Sequence, residues 1–189
     1  MFNNMCKAER KLEAFRYILT RFVAHQRVLT PASSDVEVFN SFSNKRLMKL
    51  LYLLCLESVS SDCSDVGLFN IFDNMIAYPN GPVEQDVYDG LRLISGVRCQ
   101  DGKFIELPCH DNGTLKRELY DIIDTAFEKL MNHIEGDSFS NTEYLIDIVH
   151  SLYLWPKAYV SSSTGKTMDI AIKEELEKEI KVYKKLFLN

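Results

Sequence analysis

Asn44-Lys45-Arg46-Leu47-Met48-Lys49-Leu50-Leu51-Tyr52-Leu53-Leu54-Cys55-Leu56-Glu57-Ser58 decides the fold. Lys45, Arg46 and Lys49 make a basic opening, and from Leu50 to Leu56 every residue is apolar or aromatic. No polar face recurs along that run, so it reads as a helix from about 44 to 58 buried on nearly all sides. Such a helix belongs at the centre of a fold. The run is far shorter than the roughly 20 residues that span a bilayer, so it is a core helix and not a membrane span. Ser43 or Asn44 can cap its start.

The rest of the chain supplies helices to surround it. Leu12, Phe15, Leu19, Phe22 and Val23 recur at helical spacing over residues 5–28, with Lys and Arg opposite. Thr30-Pro31 and Ser33-Ser34-Asp35 end that helix, and 36–42 reads as a short turn or an added strand. Residues 59–66 are a polar loop. Phe69, Phe72, Met75 and Ile76 return at helical spacing and predict a further helix, stopped by Pro79-Asn80-Gly81. Pro82 suits the first position of the next helix, with Glu84 and Asp86 at its positive end and Val83, Val87, Leu91 and Ile94 as its apolar stripe.

Gln100-Asp101-Gly102-Lys103, between short alternating runs, predicts one β-hairpin near 97–107. Leu115 to Ile134 marks a long helix ending at Gly136. Ser140 with Glu143 reads as a capping box for a helix that Trp155-Pro156 ends. A flexible loop at 161–165 leads to a charged helix over 167–187. The expectation is an all-α single domain over 1–189, with about six to seven helices and one small hairpin. Eight glycines and five prolines are too few for a turn-rich β fold.

Composition bounds the function. The chain has 189 residues, 46% hydrophobic and 26% charged, with net charge −5. Residues 1–49 carry nine Lys/Arg against four acids, a local +5, and the remainder balances at −10. A basic first quarter attracts nucleic acid or an acidic protein, or it is simply a solvated helix face. Residues 1–11 have no apolar stretch before a small-residue cleavage site, so a cytoplasmic protein is expected. Five cysteines (6, 55, 63, 99, 109) without regular spacing argue against a disulfide framework.

No pattern for catalysis or cofactors stands. Ser163-Thr164-Gly165-Lys166-Thr167 resembles the end of a phosphate loop, but Val160 stands where its first glycine is needed. Cys99, Cys109 and His110 lack the close ligand pairs of zinc sites. His25, His110, His133 and His150 lie in no metalloprotease or hydrolase motif. The reading is a non-enzyme with no metal and no cofactor.

Three segments carry a family resemblance. Arg46, Leu47, Met48, Lys49, Leu50, Leu51 and Tyr52 match a Lys-Leu-x-Lys-Leu-Leu-Tyr-type helix, with Arg46 at its first Lys. Gly81, Pro82 and Val83, then Val87 and Tyr88, match a Gly-Pro-Val turn followed by a Val-Tyr pair. His150, four spacers and Trp155 match the end of a late helix, with Leu154 where a Pro is usual and Val149 where a Thr is usual. Over about 45–156 the chain thus resembles the Panacea-domain (SocA-like) antitoxins of bacteria and phages.

The resemblance implies a mainly helical protein without enzymatic activity that neutralises a cognate toxin by direct binding, in one case as an adaptor delivering it to a protease. It identifies neither the toxin nor the oligomeric state. Partner contact is then expected at Lys45, Arg46, Lys49, Tyr52 and Tyr88, where a basic edge lies beside aromatics. Leu50, Leu51, Gly81, Pro82, Val83, Val87, His150 and Trp155 are read as motif residues that mainly build the fold. A DNA-binding regulator using the basic first helix, and a solitary interaction module, are the alternatives; nucleic acid and membrane are not the expected partners.

Overall fold

In the computed structural model, residues 7–91, 99–100, 103–104, 115–134, 136–160 and 166–187 are described. The chain runs α1 (Lys7–Leu29), α2 (Asp35–Asn40), α3 (Asn44–Ser58), a 3-10 turn (Gly67–Asn70), β1 (Met75–Tyr78), β2 (Gly81–Glu84) and α4 (Gln85–Gly90). Then follow β3 (Cys99–Gln100), β4 (Lys103–Phe104), α5 (Arg117–His133), α6 (Asp137–Ser140), α7 (Thr142–His150), α8 (Leu154–Val160), β5 (Lys166–Thr167) and α9 (Lys173–Phe187). The fold is predominantly helical, as expected, with a small antiparallel sheet in the order β2-β1-β5.

The predicted central helix is α3. Ser43 caps it by accepting the Arg46 amide, and only three of its residues escape full burial. It packs against α5, α7, β2 and the 3-10 turn, within one continuous core that draws on elements from α1 to α9. The polar side chain of Tyr52 is tied to the last helix. The Tyr52 hydroxyl donates to Glu179 Oε1 of α9 at 2.5 Å. Glu179 Oε2 accepts the amides of Tyr153 and Leu154 at 2.7 Å, so one buried carboxylate joins α3, the α7–α8 corner and α9. Among the described residues, no helix is long and apolar enough to cross a membrane.

The structure corrects the sequence reading at several joints. Residues 35–40 form a capped helix and neither a turn nor a strand, because Ser34 and Glu37 make a reciprocal capping box. Phe69, Phe72 and Met75 are all buried, yet they do not share a helix. The 3-10 turn buries Leu68 and Phe69, and β1 then buries Met75 and Ala77 in strict alternation with Ile76 and Tyr78. Over so few residues, the two periodicities place the same apolar side chains inside.

Pro82 opens no helix. It lies in β2 opposite Ala77, on an edge strand where its missing N–H breaks no ladder bond. Pro79 and Asn80 form the turn, and Gly81 follows at φ +104°. The helix starts at Gln85, capped by Glu84 accepting the Val87 amide at 2.7 Å. The cap of α7 is Asn141, not Ser140, and α7 ends at His150. Trp155-Pro156 does not end a helix; it lies in the first turn of α8, where proline costs no hydrogen bond. Lys166 and Thr167 belong to β5, which pairs with β1, and the last helix begins at Lys173. The expected hairpin is present as β3 paired with β4. Its Asp101-Gly102 turn and the 161–165 loop lie outside the described residues.

Candidate functional site

Three segments far apart in sequence meet on one side of α3. They are the start of α3 itself, the β1–β2 turn, and the α7–α8 corner. Lys49 donates from Nζ to the Pro82 carbonyl at 2.6 Å. Gly81 passes so close that an added Cβ would lie 2.7 Å from Val149 Cγ2 and 2.9 Å from Lys49 Cε. The Trp155 indole N–H donates to the Tyr78 carbonyl at 2.8 Å. His150 stacks on Trp155 with centroids 3.8 Å apart, and Tyr159 stacks beside it at 5.0 Å. The segments that carried the resemblance are therefore one site in space. Gly81→Ala is expected to cost about 2 kcal/mol, from the unfavourable φ and the collision with Val149 and Lys49, read as a fall in denaturation midpoint.

A cavity of about 240 Å³ opens at this junction, lined chiefly by Asn44, Lys45, Met48, Lys49, Tyr78 and Tyr88. Lys45 is exposed, and Tyr78 and Tyr88 are 38% and 46% exposed. The other expected contact residues are not surface groups. Arg46, Lys49 and Tyr52 are 2%, 1% and 0% exposed. The sequence reading placed Arg46 and Lys49 on an exposed edge, but a helix wrapped on all sides has no such edge after its first residues. Tyr52 is a core strut bonded to Glu179 and reaches no partner surface.

The two buried cations differ in kind. Arg46 is built into the core: Nε donates to the Phe139 carbonyl at 2.9 Å, a terminal nitrogen donates to Gln26 Oε1 at 2.5 Å, and Phe42 and Phe139 flank the guanidinium. Burial pushes its pKa down to about 10. Lys49 has the Pro82 carbonyl alone, and no carboxylate lies within ion-pair distance of it among the described residues. Burial, with the charge of Lys45 one turn earlier, pushes its pKa down to about 7. Burial and then Lys49 lower His150, whose Nε2 is buried without a partner, as is Asn44 Oδ1 at the cavity wall.

Four of the nine basic residues of the first quarter, Lys11, Arg16, Arg46 and Lys49, are buried, and Lys7 and Arg21 are held in ion pairs nearer the surface. Lys11 is 1% exposed and bonds Asp73, Glu84 and Asp86. Burial opposes its charge, but those hydrogen bonds outweigh it and hold the ammonium well above its ordinary value. The three carboxylates have metal-ligand spacing, and the Lys11 ammonium already occupies their centre. Lys7 pairs with Asp73, Arg16 with Glu13 and Arg21 with Asp124. Composition cannot show this, because each acid partner of Lys7, Lys11 and Arg21 is more than 60 residues away. Cys109 and His110 lie outside the described residues; Cys55 and Cys63 are buried free thiols.

No protein-family model matches the chain, and no curated protein and no solved structure matches it.

Proposed function

We propose that this chain is a cytoplasmic, Panacea-type antitoxin that neutralises a toxin encoded beside it by binding that protein directly. One observation carries the reading: Lys49, Gly81-Pro82, His150 and Trp155, the residues of the resemblance, converge at one junction, where Lys49 and Gly81 line a cavity rimmed by exposed Lys45 and Tyr88. Tyrosine beside a cation suits a protein interface. The DNA-binding alternative is weakened by the burial of Lys11 and Arg16 and by the pairing of Lys7 with Asp73 and Arg21 with Asp124.

A second reading rests on the same cavity, since an amine whose pKa burial brings down to about 7 can serve as a base or nucleophile. Among the described lining residues, no carboxylate, serine or cysteine accompanies it, which favours binding over chemistry.

The test is growth. The neighbouring gene expressed alone should arrest cells, and co-expression of this chain should restore them. A neighbour that arrests growth but is not relieved overturns the proposal. Lys45→Glu changes an exposed side chain, so its effect on stability should stay within about 0.5 kcal/mol while rescue weakens; full rescue would remove Lys45 from the interface.

A further inference from the structure

We propose that the cavity beside Lys49 seats the carboxylate of an aspartate or glutamate side chain from the partner protein, paired with the Lys49 ammonium. The source of that carboxylate rests on the protein-binding reading; the chemistry of the pocket does not.

Lys11 and Lys49 are buried alike but partnered differently. Both lysines are 1% exposed. Lys11 has three carboxylates around it, whereas Lys49 has none among the described residues and one carbonyl. An ammonium carries three donors, so two are left over at Lys49. Burying a charge without a counter-ion is expensive, and the cost disappears when an anion arrives.

Lys45 adds positive charge from the same helix. His150 faces Lys49 from α7 as a ring that burial and Lys49 keep neutral, with Asp147 acting in the opposite direction; β2 contributes only the Pro82 carbonyl. Tyr78 and Tyr88 close the rim from β1 and α4, with the Tyr78 hydroxyl already engaged by Gln85 at 2.8 Å. Asn44 adds a carboxamide whose buried oxygen is unpartnered, and turning the amide over would aim its N–H donors there instead.

Size and wall chemistry choose the group. The cavity has room for about eight waters, enough for one side chain and not for a helix. Met48 and Val83 offer apolar wall to the methylenes of an acidic side chain. Phosphate needs several converging donors, typically an arginine fork or a nest of amides. Here one buried ammonium stands beside a carbonyl that would repel a dianion, so a single carboxylate fits better.

The experiment follows the Lys49 amine itself. Protein carrying ¹⁵N at lysine Nζ is titrated with N-acetylglutamate α-methylamide, with the glutamine analogue, and with inorganic phosphate. The Lys49 resonance is assigned by its loss in Lys49→Met. The proposal expects a saturable shift with the glutamate compound, a rise of about one unit in the pH at which Lys49 titrates, and no response to the glutamine analogue. The Lys157 signal, already paired with Glu175, should not move. No saturable shift, or an equal shift with phosphate at lower concentration, overturns the carboxylate assignment. This readout needs no toxin, so its failure leaves growth rescue intact as a separate result. A saturable shift with no rescue by the wild-type chain overturns the toxin as the source of the carboxylate.

Discussion

Lys49→Met is expected to stabilise the protein by about 3 kcal/mol at pH 7. The lysine titrates near 10.5 when unfolded and near 7 when folded. At 1.36 kcal/mol per unit, the folded state therefore bears a penalty of about 4 kcal/mol at neutral pH. Methionine fills a similar volume without charge, but it leaves the Pro82 carbonyl without its donor, which offsets about 1 kcal/mol of the gain. The sign with pH follows from proton counts. Between pH 7 and 10.5 the unfolded chain holds the extra proton, so wild-type stability rises with pH across that window. The advantage of methionine should be full below pH 7 and gone near pH 10.5. Urea denaturation at pH 6.5, 8 and 10 measures it. A variant less stable than wild type at pH 6.5 would contradict the burial of an uncompensated amine.

Trp155→Ala should act in the opposite direction, with a loss of roughly 3–5 kcal/mol. The indole is 8% exposed, packed between His150 and Tyr159, and its N–H holds the Tyr78 carbonyl at the start of the β1–β2 turn. Removing it opens a cavity, strips one face from His150 and leaves a carbonyl unbonded. Trp155→Phe keeps one ring in the stack but loses the hydrogen bond and the volume of the second ring, so a smaller loss of about 2 kcal/mol is expected there. Thermal denaturation of both variants separates the two contributions. An unchanged melting temperature for the alanine variant would refute the core role of the indole.

These two residues differ in what the sequence says about them. Trp155 announces itself as a large apolar plug, and the structure uses it so. Lys49 looks like a surface cation, because a lysine at a helix start is usually solvated. Only the packing of β2 and α7 over that turn buries it. The centre of the fold was legible because Leu50 to Leu56 has no polar face. Likewise α1, α5 and α9 follow from periodic apolar stripes of 15 residues or more.

The sheet was not legible. Met75 to Tyr78 is four residues long, too short to separate a period of 2.0 from one of 3.6, and Pro82 signals a helix start as strongly as an edge strand. The basic first quarter misled for a related reason. Charge counts along the chain do not reveal that Asp73, Glu84 and Asp86 fold back onto Lys7 and Lys11.

A residue that lowers stability while standing at the junction of the motif segments fits a stability–function trade-off, in which a strained or uncompensated group is retained for binding. The pairing of opposite effects in one variant is the most direct test of that idea. Growth rescue from the neighbour-encoded protein should be compared between the wild-type chain and Lys49→Met at matched abundance. The account predicts that wild type restores growth and that the methionine variant, although more stable, does not. Full rescue by Lys49→Met would contradict it and return Lys49 to the core as a tolerated defect.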